Sequence, residues 1–504
     1  MQNKHSELQK QVADLAAALH AAEAENKLLR EKVQFLLKRL FGHSSEKLDP
    51  AQLQLMLDVL SGSSEPPEDE PPPPPPRSSR RAPRERKPRI PDHLPTEDVV
   101  IEPDEVKADP DAYQWIDEEV TQELDVVPTR YFRRRIIRPK YKKKADRTQA
   151  PLIAPLPPRP IEGGYASAGL LTDIVVNKYL YHLPLYRQEQ MFARHGIDLS
   201  RKTMDDWVEA VAGWLCPIYE RVREELQGSG YLQVDETPVR YNLAEGGGTG
   251  QGYFWVYHHP PPPGVSGANI LFEWHTSRSA ACLQDMLGKF SGTAQCDAYA
   301  AYMSYARGRE DIVLAGCWAH ARRYFFEAQE EDPVLAGWFL RQIQLLYRVE
   351  KQLRKGRVGP AGRSARRSSE SGMVLQRIKR VLGHKWKQAL PRSRMGKAMA
   401  YALSNWEALI LYRDDGRLEI DNNLVENAIR PTAVGKKNWL FIGHPDAGQR
   451  SAIIYTILAT CKSYGIDPWE YLHDVLSRLP SMMITEVDQL TPANWLAARK
   501  KKAA

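Results

Sequence analysis

The stretch "YLQVDETPVRYN", residues 231–242, marks the point where the periodicity of the sequence changes from helical to strand-like. Two further apolar or alternating runs follow, "GYFWVYHH" at 252–259 and "NILFEWHT" at 269–276. Turn-rich segments separate the three runs, which predicts two consecutive hairpins. A helix, a strand, a second helix and a last strand are predicted over 277–318. The order β-β-β-α-β-α-β indicates a mixed α/β sheet.

Two aspartates occupy informative places on this predicted sheet. Asp235 lies in the first strand among apolar residues, and Asp297 ends the fourth strand after "AQC". A buried Asp is costly unless it is hydrogen-bonded or bound to a metal, and one such residue is usually structural. Two on strands that can be neighbours favour a hard divalent cation such as Mg²⁺, which takes carboxylate ligands and leaves positions for phosphates. Two such ions can stabilise both oxygens of an in-line phosphoryl displacement.

A third carboxylate, Glu426, lies in the predicted helix of "IDNNLVENAIRP", residues 420–431. One side of that helix is apolar, and Glu426 stands four residues before Arg430 elsewhere on it. Two interpretations stay open: an exposed ion pair with Arg430, or a third metal ligand. Asn422 and Asn423 are candidates to cap the helix, since Asn is favoured at that position, or to contact DNA.

Composition places the chain among multidomain proteins of a reducing compartment. Its 504 residues allow several domains, and a hydrophobic fraction of 42% is ordinary for proteins with buried cores. The sequence contains no run of 18 apolar residues, and its polar start argues against a secretory signal. The five cysteines are scattered and form no Cys-x-x-Cys pair, which argues against disulfides and a cysteine-rich zinc module. We therefore expect a cytoplasmic protein.

The first part of the chain predicts oligomerisation. Residues 5–40 carry apolar residues in unbroken steps of four and three, the a/d seam of a coiled coil. Asn26 falls at an a position, which favours a two-stranded state. The alternative is an amphipathic helix packed on its own protein. Residues 61–88, rich in Pro, Ser and charge, predict a disordered linker.

Three basic regions are candidates for nucleic-acid contact. Residues 130–147 hold ten Lys or Arg against one Asp and predict a strand with a cationic face that includes Arg133 and Arg135. Residues 165–214 predict three helices, broken at Pro184 and at Gly196, with the third capped by Ser200 or Thr203. Arg201 and Lys202 at its start fit a helix-turn-helix, although many helical domains share this pattern. The alternative for the strand is a solvated charged face.

The third basic region is a long helical segment, 333–412, interrupted by "GRVGPAGRSARRSSESG", 356–372, which predicts a flexible stretch. Residues 351–397 hold fifteen Lys or Arg and one acid, Glu370. Such a surface would bind duplex DNA through phosphate contacts, although many basic helical surfaces have no such role.

Five motifs together resemble one family: "LQVDETPVR", "CDAYAAY", "GCWAHARR", "DNNLVENAIRP" and "GKKNWLFIG" stand in this order. They are similar to those of bacterial insertion-sequence-66 transposases, DDE-type enzymes with a ribonuclease H-like fold. The resemblance implies that Asp235, Asp297 and Glu426 form the catalytic, metal-binding triad. The gaps are 297 − 235 = 62 and 426 − 297 = 129 residues. The second gap implies an inserted domain before the glutamate helix.

The same resemblance bears on four further residues and on zinc. Similar families carry a Cys/Asp-x-x-His near the active site, so His320, in "CWAH", is a candidate contact of the scissile strand. With only two soft ligands there, structural zinc is disfavoured. Lys436 and Lys437 are candidates for phosphate binding, and Trp439 for stacking on an extruded base or for the core. Family members usually carry zinc-binding cysteines before the helix-turn-helix, whereas 90–148 has none, so end recognition there is in question.

These observations predict a multidomain α/β enzyme. We expect the following parts: a coiled coil at 1–48, a proline-rich linker at 49–89, a small basic DNA-binding module at 90–150, a helix-turn-helix-like domain at 151–226, the ribonuclease H-like core at 227–330, a basic helical insertion at 331–415, the second part of the core at 416–478 and a tail at 479–504.

The predicted function is DNA transposition, a form of DNA recombination in which Mg²⁺, or alternatively Mn²⁺, supports cleavage and strand transfer. The predicted partners are double-stranded DNA at the element ends and target, a second protomer, and small accessory proteins of the same element. The predicted location is the bacterial nucleoid. The rival hypotheses are a ribonuclease H-like nuclease without strand transfer and a non-catalytic DNA-binding protein descended from a transposase.

Overall fold

The computed structural model describes residues 131–138, 140–141, 152–153, 157–243 and 247–503. The predicted coiled coil, the proline-rich linker and most of the small basic module lie outside these residues and stay predictions. Throughout the part of the chain that the structure describes, each helix is too short or too polar to cross a membrane.

The strands are β1 (Lys140–Tyr141), β2 (Leu152–Ile153), β3 (Tyr231–Asn242), β4 (Thr249–His258), β5 (Ile270–His275), β6 (Gly292–Gln295) and β7 (Ile312–Ala315). β1 and β2 form a small antiparallel pair, and the other five form one sheet of order β5-β4-β3-β6-β7. In this sheet β3, β4 and β5 are antiparallel neighbours, whereas β3, β6 and β7 run parallel. The predicted mixed sheet and its element order are confirmed.

The α-helices are α1 (Ala168–Tyr179), α2 (Leu185–Arg194), α3 (Arg201–Gln227), α4 (Gln284–Leu287), α5 (Ala300–Ala306), α6 (Trp318–Glu327), α7 (Pro333–Lys355), α8 (Pro360–Arg366), α9 (Gly372–Lys385), α10 (Arg394–Ser404), α11 (Trp406–Asp414), α12 (Asn423–Trp439), α13 (Asp446–Ser463), α14 (Pro468–Arg478) and α15 (Pro492–Ala503). Short 3₁₀ turns join several of them. Residues 479–503, expected as a tail, thus include a helix, and its Trp495 is buried.

The three helices expected over 165–214 correspond to α1, α2 and α3. Ser200 is the residue that caps α3, because its side chain accepts a hydrogen bond from the backbone N–H of Thr203 at 3.1 Å. A side-chain oxygen at this position satisfies one of the N–H groups that the first helical turn leaves without a partner. The sequence had left open whether Ser200 or Thr203 caps this helix, since both residue types can do so.

Two hydrophobic cores organise the described residues. The first packs α1, α3, α13 and α14 with β3, β4 and β5. The second lies among α6, α7, α9, α10 and α11, the helices of the insertion and the one that precedes it. On the outer strand β5, the backbone N–H groups of Ile270 and Phe272 donate to Thr460 and Thr456 of α13. Covering an edge strand in this way protects it from pairing with another chain.

Two local predictions were wrong. Residues 131–138 contain no regular secondary structure, and in the 130–147 stretch the described pairing is confined to Lys140–Tyr141. Ten like charges in eighteen residues oppose a longer ladder. The "flexible" stretch 356–372 is helical, since it contains α8 and a π-helical turn, Arg367–Ser371. Its Arg363 and Arg367 are buried in ion pairs that hold it in place.

Candidate active site

The strand register brings Asp235 and Asp297 to the same end of the sheet. In the parallel pair, Gln233 of β3 lies opposite Gln295 of β6. Asp235, still within β3, and Asp297, just after the end of β6, are each two residues further along, on the face of the sheet that carries the two glutamines. The 62-residue gap between the aspartates equals the gap of the paired residues, 295 − 233. Carboxyl ends of parallel strands are a common place for sites in α/β sheets.

Glu426 lies in the first turn of α12, whose Val425 and Ile429 are buried in the first core. Asn422 stands at the N-cap position, but its side chain makes no capping hydrogen bond. Asp421 supplies the cap instead, because its carboxylate accepts from the backbone N–H and the side-chain amide of Asn423, at 3.2 and 2.9 Å. The interpretation of Asn422 as a capping side chain was therefore wrong.

The three carboxylates are near enough to affect one another electrostatically. Burial is the largest cause that raises the pKa of Asp235 to about 8, and the charges of Glu236, Glu426 and Asp297 raise it further. A hydrogen bond from the backbone N–H of Glu236, at 2.9 Å, acts in the opposite direction. A strongly perturbed carboxyl beside two others is typical of a functional site.

Glu426 makes no ion pair with Arg430, so the first of the two interpretations of its position, an exposed ion pair, was wrong. Its Oε1 lies 3.9 Å from Nε2 of His320, and among the described residues it has no hydrogen-bond partner although it is buried. His320 lies in the first turn of α6. Burial lowers the pKa of its imidazole, and the charge of Glu426 acts in the opposite direction. The Nδ1 of His320 also lacks a partner within the described part of the chain. Unpaired buried polar atoms of this kind call for an explanation.

Glu236 is a functional candidate that the sequence reasoning missed. Its side chain is 2% exposed and accepts hydrogen bonds from Arg278 and from the hydroxyl of Tyr302. Arg278 lies over the ring of Tyr299 at 3.7 Å, and the backbone N–H of Tyr299 donates to Asp297 at 3.0 Å. Glu236 thereby supports the loop that carries Asp297. The sequence does contain a signal for Glu236. It alternates with the apolar Leu232 and Val234 on one face of the strand, and a charge on an apolar face needs partners.

The donor chemistry of this site fits a hard divalent cation. Asp235, Asp297 and Glu426 offer carboxylate oxygens, and Oε1 of Glu426 is buried without a partner in the described structure. Burial is the main cause of the raised pKa of Asp235, and a cation would offset both that cost and the smaller repulsion from the neighbouring carboxylates. Within the described ranges, however, no three His, Cys, Asp or Glu side chains are grouped closely enough to hold a metal ion. The side chains of the carboxylates would therefore have to reorient on their fixed backbone to share one.

The candidate DNA contacts after Glu426 lie along the second half of α12. Arg430 and Lys437 are exposed. Lys436 donates to the backbone carbonyl of Pro238 at 3.3 Å, and burial lowers the pKa of its amine, with Lys437 adding to the effect. Trp439 packs against the first core and lines a cavity of about 180 Å³ with Tyr179 and Phe441 among its walls.

The candidates nearer the start of the chain lie elsewhere on the protein. Arg133 and Arg135 are exposed on the irregular segment 131–138. At the start of α3, Arg201 pairs with Glu189 at 2.9 Å and Lys202 pairs with Asp206 at 2.6 Å. Both basic groups of α3 therefore already have acidic neighbours, which DNA phosphates would have to displace.

Comparison with known proteins identifies the family. Residues 163–450 match the model of the Transposase IS66 family, 456–493 match the IS66 C-terminal element, and 28–99 match "Transposase C of IS166 homeodomain". Among curated proteins of Sinorhizobium fredii, the uncharacterized protein y4jD is 32% identical, with 94% of this chain and 96% of the relative covered. The uncharacterized protein y4qI is 34% identical, with 82% of this chain and 78% of the relative covered. The family model spans more than half of the chain, which therefore belongs to the IS66 family of transposases.

Proposed function

We propose that this protein is a DNA transposase that cleaves element ends and joins them to target DNA with the help of a divalent metal ion. The observation that carries the proposal is the placement of Asp235 and Asp297 two residues beyond a paired position of β3 and β6, near enough to Glu426 that both other charges add to the effect of burial on the pKa of Asp235. The sheet, three antiparallel strands joined to two parallel ones, supports a ribonuclease H-like core. Membership of the IS66 family supports the transposase role.

In the proposed reaction, the carboxylates of Asp235, Asp297 and Glu426 hold the metal, for which Mg²⁺ is the first choice and Mn²⁺ the alternative. A divalent ion held there would supply charge stabilisation for the attacking and leaving oxygens of an in-line displacement. Water attacks the phosphodiester at the element end and releases a 3′-hydroxyl. That hydroxyl then attacks a target phosphodiester, forming one P–O bond as another breaks, so no covalent link to the protein is needed.

The remaining residues act on the DNA. His320, whose Nε2 lies 3.9 Å from Glu426, is the proposed contact of the scissile strand, and Lys436, Lys437 and Arg430 lie further along the helix that carries Glu426. Exposed basic residues of the insertion, such as Lys355, Arg380 and Lys387, provide phosphate contacts for the duplex. A homeodomain-like match over 28–99 supports a further contact with DNA.

The assembly is also part of the proposal. Two protomers pair through the coiled coil at 1–48, so that two element ends meet in one complex, and accessory proteins of the same element assist. The reaction takes place on the bacterial nucleoid. The residues of the coiled coil lie outside those that the structure describes.

The decisive experiment replaces Glu426 with Gln and measures cleavage of end-bearing DNA with Mg²⁺. We expect cleavage to fall by at least about a thousandfold, because an amide is a far weaker ligand for a hard cation than a carboxylate. The matched control is Glu470→Gln, since Glu470 also lies in the first turn of a helix, α14, but is exposed and pairs with Arg499. Undiminished cleavage by Glu426→Gln would overturn the metal-ligand role.

Strand transfer separates the proposal from its rivals. Incubation of the wild-type protein with a labelled element end and a supercoiled target should give joined products. Cleavage without joined products would favour a nuclease that does not transfer strands. Binding of end DNA with neither product would favour a non-catalytic DNA-binding protein.

A further inference from the structure

The segment that returns from the insertion to α12 passes from one hydrophobic core into the other. Leu418 and Ile420 are buried among the helices of the insertion, whereas Val425 and Ile429 are buried against the sheet. We call residues 420–425 the crossing, because they lead from the second core to the first. The first part of this crossing is buried, since Asp421 and Asn422 are hardly exposed, whereas Asn423 and Leu424 reach the surface. The position of Glu426 depends on the contacts that hold the crossing in place.

The side chain of Gln233 holds the crossing from the sheet. It is fully buried on β3, two residues before Asp235. Its Nε2 donates to the carbonyl of Asp421 at 2.8 Å, and its Oε1 accepts from the backbone N–H of Val425 at 3.3 Å. One carboxamide therefore binds the backbone on both sides of the turn into α12, and the second bond ends one residue before Glu426.

A second buried amide supports the first. Gln295, opposite Gln233 in the parallel pair, donates from Nε2 to the carbonyls of Glu419 and Gly316, at 2.8 and 3.0 Å. Its Oε1 accepts from Nε2 of Gln233 at 3.1 Å and from the hydroxyl of Tyr231 at 2.6 Å. That hydroxyl in turn accepts from the backbone N–H of Glu419 at 3.0 Å. A buried polar network in which the members satisfy one another rigidifies its surroundings.

We propose that Gln233 is a positioning residue that sets the distance and orientation of Glu426 relative to Asp235. The inference rests on the proposed function, in which these two carboxylates share a metal ion. The strand that carries Asp235 also carries the amide that fixes the start of the Glu426 helix. The spacing of the two carboxylates is thereby determined by two hydrogen bonds rather than by the 191 residues of chain between them, 426 − 235.

The first test compares Gln233→Met with wild type. Met retains the length of the side chain and removes both hydrogen bonds to the crossing. We expect the single-turnover cleavage rate at saturating Mg²⁺ and DNA to fall about 100-fold, because displacement of a catalytic group by about 1 Å has effects of this size. The dissociation constant for end DNA should change by less than about threefold, since Gln233 is buried away from the DNA.

The matched control is Thr460→Val. Thr460 is also fully buried, and its hydroxyl also makes two hydrogen bonds to backbone, the N–H and the carbonyl of Ile270, at 3.2 and 3.1 Å. Those bonds fix α13 to the other edge of the sheet. We expect a comparable fall in Tm but a cleavage rate within about threefold of wild type. Equal losses of rate in Gln233→Met and Thr460→Val at equal losses of Tm would overturn the positioning role.

The second readout needs no cleavage. Addition of MnCl₂ without DNA should raise the Tm of wild type and of Thr460→Val, because an ion shared by the carboxylates binds only the folded protein. Gln233→Met should lose most of this shift, and retention of the full shift would overturn the inference. If wild type itself shows neither a shift nor cleavage, the proposed function fails, and the inference fails with it.

A milder variant guards against misfolding. Gln233→Asn keeps the amide but is one methylene shorter, so it cannot reach both Asp421 and Val425 from the same strand position. We expect an intermediate loss of cleavage, about tenfold, with a Tm close to that of wild type. A cleavage rate equal to that of wild type in this variant would contradict the role of Gln233.

Discussion

The insertion and the sheet both bury charged side chains, but they treat them differently. In the insertion, Arg367 and Glu350 are fully buried and form two hydrogen bonds of 2.7 Å each. Burial alone would raise the pKa of Glu419, yet Arg363 and Arg354 together lower it. At the sheet, no cation lies beside Asp235 among the residues that the structure describes, and burial raises its pKa to about 8.

The difference separates a structural use of buried charge from a functional one. A paired buried charge is compensated within the protein and contributes a fixed geometry. An uncompensated one raises the free energy of the folded state, and a cation or substrate that relieves it is bound more tightly. On this basis the charges of the insertion core are structural, whereas Asp235, Asp297 and Glu426 are the carboxylates that we propose as the reactive site.

The largest expected effect comes from Asp235→Asn. This variant tests whether Asp235 is needed for cleavage and whether it at the same time lowers the free energy of unfolding. Cleavage should fall by at least about a thousandfold. In the presence of EDTA at pH 8, the free energy of unfolding should stay the same or rise, because the substitution removes a carboxyl whose charged form is disfavoured by burial and by neighbouring carboxylates. Urea unfolding measures the stability. A loss of several kcal/mol would show that Asp235 is structural, like the charges of the insertion.

The second prediction addresses the insertion through Glu350→Leu. Removal of Glu350 leaves Arg367 and Arg363 buried without their shared partner, so unfolding should become easier by about 3–5 kcal/mol. Glu370→Leu is the matched control, because Glu370 forms a half-exposed pair with Arg366. That variant should lose less than about 1 kcal/mol. Similar losses in the two variants would contradict the structural role of the buried pair.

A third buried group, His258 of β4, extends the comparison to pH. Burial lowers the pKa of its imidazole to about 4. Between pH 6.5 and 4 the unfolded chain binds the proton and the folded chain does not, so stability should fall as the pH falls. His258→Gln should lose less stability than wild type over this range, by on the order of 2–3 kcal/mol.

Chemical unfolding at several pH values measures this difference, and His444→Gln is the control, because His444 is exposed. We expect the control to show the pH dependence of wild type. An identical pH dependence in wild type and His258→Gln would show that the imidazole is not held neutral by burial.

The smallest effect is expected from exposed bases of the insertion. Arg380→Gln and Lys387→Gln should each weaken DNA binding a few-fold and reduce the slope of log K against log salt by about 0.9. Lys289→Gln, an exposed lysine outside the insertion, should leave the slope unchanged. Fluorescence anisotropy at several salt concentrations measures the slopes. Equal slopes in all variants would argue that DNA does not contact this surface.

The sheet and the helices could be predicted because their signals are local. Alternation of apolar residues marks strands such as 231–242, and the predicted stretch coincides with β3. The basic stretch 356–372 misled the prediction, because Gly, Ser and Arg are typical of exposed loops. Its order comes from Glu350, 13 residues before Arg363, and from Glu419, 56 residues after it, which lie outside the stretch itself.

For the proposed site, the sequence predicted which residues carry the chemistry: Asp235 and Asp297 by their places on strands, and Glu426 by its motif. The tertiary structure decided how they meet. Gln233 and Gln295 have no function that local pattern could indicate, and Glu236 acquires one only through Arg278 and Tyr302. A hydrogen bond between residues about 190 positions apart depends on the packing of the whole chain, whereas periodicity is set by neighbours a few residues away.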